Sequence, residues 1–108
     1  MNRNAEVHLY DRLAGYLTET DEGYVFWYDT KYLSTTDAEA VSLTLPLTAT
    51  AYRNKIIFPF FDGLIPEGWL LDIAERNWKI TRQDRFGLLL ACCRDCIGAV
   101  SIVSTSAP

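Results

Sequence analysis

The sequence predicts an α+β fold: an antiparallel sheet, built from an N-terminal meander plus a C-terminal strand, packed with two main helices at about 66–79 and 83–93. Three features predict it. Apolar and polar residues alternate with period 2 near the start, the period changes to 3.6 after Pro66, and a β-branched run closes the chain. The 108 residues, 49% hydrophobic and 22% charged, are expected to form one domain over 1–108 with a frayed tail at 104–108.

Residues 6–33 read as β. Val7 and Leu9 alternate with His8 and Tyr10, as in a half-buried strand, and Arg12–Gly15 reads as a turn before Tyr16-Leu17-Thr18. Thr20-Asp21-Glu22-Gly23 is a second turn signal. It leads into Tyr24-Val25-Phe26-Trp27-Tyr28, whose aromatic and β-branched residues favour a strand. Ser34–Glu39 is polar and loop-like. Val41–Leu45 alternates and reads as another strand ended by Pro46, and 48–55 is polar and irregular.

Pro66 and Glu67 suit a helix first turn, because proline there lacks only a donor that would be unpaired anyway and a carboxylate complements the dipole. Leu70, Leu71, Ile73, Ala74 and Trp78 then mark an amphipathic helix. Thr81-x-x-Asp84 resembles a capping signal for the second helix, which carries Leu88-Leu89-Leu90-Ala91-Cys92-Cys93. That stretch is apolar all round and predicts a central place in the core. Gly98–Val103 is the last strand.

Charge and composition narrow the function. A net charge of −4 and a sequence pI near 4.8 give a field that repels phosphate backbones. Arg82, Arg85 and Arg94 are interleaved with Asp84 and Asp95, so no basic patch forms and no direct nucleic-acid binding is expected. No apolar run nears the roughly 18 residues that span a bilayer. The N-terminus lacks a signal peptide's apolar core, so a cytoplasmic location without membrane contact is expected.

Chemistry finds little to work with. Cys93-x-x-Cys96 has the spacing of a redox dithiol, with Cys92 beside it, but the one histidine, His8, sits far away in a strand. Buried, reduced cysteines are the favoured reading, with no metal and no cofactor. Asp62, Glu67 and Asp72 are close in sequence, yet no nucleophile–base pair accompanies them, and helix-end charge accounts for Glu67 and Asp62. The chain is therefore not expected to be an enzyme.

Phe58–Leu71 is the densest segment. Its phenylalanines and Leu64 read as core. With Pro66 at zero and steps of about 100° per residue, Trp69 falls near ~300°, at the margin of the stripe formed by Ile73, Leu70, Ala74 and Trp78. A tryptophan on such an edge is a favoured interface anchor.

Leu43-Thr44-Leu45-Pro46-Leu47, Pro59-Phe60-Phe61-Asp62-Gly63-Leu64-Ile65-Pro66-Glu67 and Arg94-Asp95-Cys96-Ile97-Gly98-Ala99-Val100 together resemble the N-terminal subdomain of HipA-type serine/threonine kinases. A free-standing version of that subdomain looks like the HipS component of HipBST toxin–antitoxin systems. The resemblance implies two partners, a HipT-like serine/threonine kinase and a HipB-like helix-turn-helix protein, in a ternary complex. It also implies an antitoxin that neutralises the kinase. The kinase-binding residues expected on this basis are Asp62, Pro66, Glu67, Gly68 and Trp69. Gly68-Trp69 departs from the polar or charged residues that fused family members often carry there, and an apolar ring at that place needs a partner to cover it. The alternative is a docking module that joins kinase and DNA-binding protein without inhibiting. The opening Met1 and short tail are expected of a separate gene product rather than a kinase fragment.

Overall fold

The computed structural model describes residues 3–65, 76, 84–92 and 100–104. Strands β1 (Asn4–Leu9), β2 (Arg12–Thr20) and β3 (Gly23–Tyr28) form the expected antiparallel meander. Helix α1 (Thr30–Leu33) follows, then strand β4 (Tyr52–Asn54), helix α2 (Pro59–Asp62), helix α3 (Arg85–Cys92) and strand β5 (Val100–Ser104). Among the described residues the sheet has five strands in the order β4-β3-β2-β1-β5, with every neighbouring pair antiparallel. The α+β class holds, and the C-terminal strand joins the meander beside β1.

Several boundaries differ from expectation, each for a local reason. The first turn is at Tyr10-Asp11, not Arg12–Gly15: both residues have positive φ (51° and 64°), and Leu9 pairs directly with Arg12. That is the two-residue hairpin whose backbone matches sheet twist. Gly15 instead lies inside β2, where the backbone of β3 comes so close that a Cβ would stand 2.4 Å from the Trp27 carbonyl oxygen. The β reading of 6–33 ends early, because Asp29 caps α1 by accepting the Tyr32 amide.

Val41–Leu45 is not a strand. Its ends meet in a Ser42–Leu45 bridge closed by the Leu45 amide on the Ser42 carbonyl (3.1 Å), while the Ser42 and Thr44 hydroxyls bond each other. Short hydroxyl side chains that satisfy local backbone groups favour such turns over ladders. Conversely, the 48–55 stretch contains β4, an edge strand too short and polar to announce itself. Ser104, placed in the tail by sequence, pairs with Ala5. The helix expected at about 66–79 lies outside the described residues except for helical Arg76.

The core occupies one face of the sheet. Val7, Leu17, Phe26 and Ile102 from the strands meet Phe61 of α2 and Phe86, Leu88 and Leu89 of α3, all fully buried. The second helix is thus as central as its apolar stretch implied. Burying a side chain of this size contributes about 1.5–3 kcal/mol each. Among the described residues no helix is long and apolar enough to cross a membrane.

Candidate partner-binding site

The expected kinase-binding segment begins where α2 ends, so its geometry starts with that single turn. Pro59 supplies a preset φ at the helix start, and Phe61 is driven fully into the core. There Phe61 meets Phe26 at 5.4 Å, Phe58 edge-on at 6.1 Å and Phe60 at 5.2 Å between ring centroids. Such tilted and edge-to-face pairs add to plain burial. The chain then tightens, with the Leu64 amide on the Phe61 carbonyl (3.0 Å) and the Ile65 amide on the Asp62 carbonyl (3.2 Å). Ile65 is buried, so the chain is held in place up to Pro66.

Asp62 is the one expected site residue that the structure places. Its Oδ1 accepts a hydrogen bond from Arg85 Nε at 2.6 Å, tying the end of α2 to the start of α3. The pair is partly exposed, so its contribution is modest, on the order of 0–1 kcal/mol. Asp62 therefore serves first to hold α2 against α3. Pro66, Glu67, Gly68 and Trp69 lie outside the described residues, as do Cys93 and Cys96.

Next to Arg85, the start of α3 carries a charged knot that the sequence did not reveal. Arg3 donates from Nε and Nη2 to Glu19 (2.9 and 2.8 Å) and from Nη1 and Nη2 to Asp84 (2.9 and 2.7 Å). Its guanidinium also lies 5.4 Å from the centroid of the Phe86 ring. Hydrogen bonds to Glu19 and then Asp84 hold Arg3 charged beyond its ordinary range, and the bond from Arg3 pulls the Asp84 carboxyl below its own. Asp84 is also the helix cap: its Oδ1 accepts the Gly87 amide at 3.1 Å. The expected cap signal at Thr81 and Asp84 thus resolves onto Asp84, while Thr81 is outside the described residues.

A second organised region was also missed. Three tyrosine hydroxyls hold the 39–46 loop. Tyr32 accepts from the Glu39 amide (3.0 Å) and donates to its carbonyl (2.7 Å). Tyr28 accepts from the Val41 amide (3.1 Å) and donates to the Leu45 carbonyl. Tyr52 donates to the Pro46 carbonyl (2.7 Å). The Leu43-Thr44-Leu45-Pro46-Leu47 run is therefore a fixed loop, with Leu45 buried and Leu43 98% exposed at its tip. Among the described residues no group of three or more His, Cys, Asp or Glu side chains could hold a metal. His8 Nε2 is 2.9 Å from Glu6 Oε1 on its own strand.

Among the described residues this arrangement offers anchored loops and turns, and comparison with known proteins gives the family setting for them. The family model for the HipA N-terminal domain matches residues 5–103. An uncharacterized protein of Haemophilus influenzae is 32% identical over 100 residues, which span 93% of this chain and 91% of that protein. A solved structure of the N-terminal domain of HipA toxin is similar with a TM-score of 0.76 and 27% identity, covering 98% of this chain and 95% of that one.

Proposed function

The chain belongs to the HipA N-terminal domain family, and from that premise we propose that it is the antitoxin or regulatory subunit of a HipA-related toxin–antitoxin system. It binds a HipT-like serine/threonine kinase in the cytoplasm and neutralises it by placing the Pro66–Trp69 turn at or in the kinase cleft. The match over 5–103 carries this reading. In the solved relative, the domain of this shape is the N-terminal part of the toxin itself. A separate copy is suited to occupy the same place on a kinase through non-covalent contacts. In this reading the chain performs no chemistry of its own and needs no cofactor.

The described geometry supports the mechanism at its root. Phe61 and Ile65 are buried and Asp62 is tied to Arg85, so the chain reaches Pro66 from a fixed end. Preorganisation of this kind lowers the entropy cost of binding. The test is a Trp69→Ala variant, compared with the parent for kinase affinity and for growth rescue on co-expression. Loss of roughly 2 kcal/mol or more of binding energy is expected of a buried interface tryptophan. Unchanged affinity and rescue rule out the Trp69 mechanism. The second reading, a docking module joining the kinase to a HipB-like protein, is favoured if rescue appears only when that third protein is present.

A further inference from the structure

The sheet has a second face, and its features are those of a surface that takes cationic side chains. Phe26 and Trp27 are adjacent in β3 and so point to opposite sides of the sheet. Phe26 enters the core against Phe61. Trp27 stands on the other side, 36% exposed, with its ring centroid 5.5 Å from that of Tyr16 at an interplanar angle of 31°. The register sets a row across this face: Trp27 opposite Tyr16, Tyr16 opposite Glu6, and Glu6 opposite Val103. Asp29, two residues beyond Trp27, comes to the same side and accepts the Tyr16 hydroxyl at 3.4 Å.

The pair of rings is therefore flanked by a carboxylate on either side. Among the described residues neither Glu6 nor Asp29 meets a lysine or arginine, since Glu6 pairs with His8 and Asp29 caps α1. The negative field registers on Tyr16, whose hydroxyl is pushed up by burial and then by the charges of Asp29 and Glu6. An aromatic face attracts a guanidinium or ammonium group through its quadrupole, tryptophan most strongly, and a nearby carboxylate adds to that attraction.

We propose that the Trp27–Tyr16 face, bordered by Glu6 and Asp29, is a docking surface for an arginine-bearing segment of a protein partner. The occupant follows from charge complementarity: two carboxylates that meet no lysine or arginine among the described residues, one of them bonded to His8, lie beside two partly exposed rings and so attract cations and repel nucleic acid. Nothing in this depends on the kinase reading, because the surface lies across the sheet from α2 and the root of the Pro66–Trp69 turn.

The experiment titrates the full chain with a hexa-arginine peptide at low salt and follows the Trp27 indole N–H and Tyr16 ring resonances by NMR. A hexa-glutamate peptide serves as the control. Saturable shifts centred on Trp27 and Tyr16 are expected with arginine alone, and roughly tenfold weaker binding in Trp27→Leu. Glu6→Gln, which keeps both rings, is expected to weaken binding severalfold and flatten its salt dependence. Arginine-induced shifts scattered over other acidic residues, with Trp27 and Tyr16 unmoved, overturn the proposal. So does equal binding of the glutamate peptide, or a Glu6→Gln isotherm that overlays the parent. The first of these results leaves the Trp69 test untouched, so the two ideas fail separately.

Discussion

Tyr28 shows how much a single hydroxyl can organise. Its ring lies in the core, meeting Phe26 at 5.0 Å and stacking on Tyr32 at 6.3 Å. Its oxygen bridges the Val41 amide and the Leu45 carbonyl. Tyr28→Phe keeps the ring and leaves both backbone groups without that partner in a buried place. The expected cost is about 1–3 kcal/mol, read as a lower urea midpoint, with faster amide exchange confined to residues 41–45. Tyr52→Phe is the control. Its bond to the Pro46 carbonyl is exposed, so water replaces it and a change below about 0.5 kcal/mol is expected. Equal losses in the two variants would mean that the loop is held by packing rather than by hydroxyls.

At the scale of elements, the start of α3 separates capping from charge. Asp84→Asn retains a good cap and loses the ionic bond to Arg3, whereas Asp84→Ala loses both and should cost about 1 kcal/mol more. The acid limb supplies the sign. Asp84 is held below its ordinary value of 3.8, so its contribution is complete above that value and is lost as pH falls through the lower folded-state value. Stability measured below about pH 4 should fall less steeply in Asp84→Asn than in the parent; parallel curves would show that the Arg3 bond carries no linkage. The β2–β3 turn gives a second contrast. Gly23 has φ +143°, and a Cβ there would stand 2.3 Å from the Asn54 carbonyl oxygen. Gly63 has φ −68° and would meet nothing nearer than 3.4 Å. Gly23→Ala is expected to cost more than about 1 kcal/mol by thermal melting, and Gly63→Ala to be neutral or slightly stabilising. These elements also show where the sequence was legible. Val7 and Leu9, and the 24–28 run, were readable because a sheet buried on one face forces period 2. The Tyr10-Asp11 turn was not, since tyrosine carries no left-handed signal. Nor was the Val41–Leu45 turn, where burial of both ends mimics a strand. The bond from Arg85 to Asp62 was not legible either, since it crosses 23 positions and leaves no local mark.

For the whole molecule, the decisive contact is the one that sequence distance makes slowest. β5 pairs with β1 from Ala5–Ser104 to Leu9–Val100, so the strand that completes the sheet joins opposite ends of the chain. The β1–β2 and β2–β3 pairings need only two-residue loops. Closing a long loop before its contacts can form makes such pairing late in folding. Ile102 of β5 is fully buried and so is Leu17 of β2. Their alanine variants should therefore lose similar stability, about 2–5 kcal/mol each, by different kinetic routes. Ile102→Ala is expected to accelerate unfolding with little change in folding rate, and Leu17→Ala to slow folding as well. Stopped-flow chevrons on both variants measure this directly. If Ile102→Ala slows folding as much as Leu17→Ala does, the ends meet in the transition state and the meander is not the nucleus. If the expected order holds, the sheet's outer edge at β5 is the part of this domain that opens first under stress. The Arg3 knot on the preceding N-terminal residues then opposes that opening by tying the start of β1 to α3.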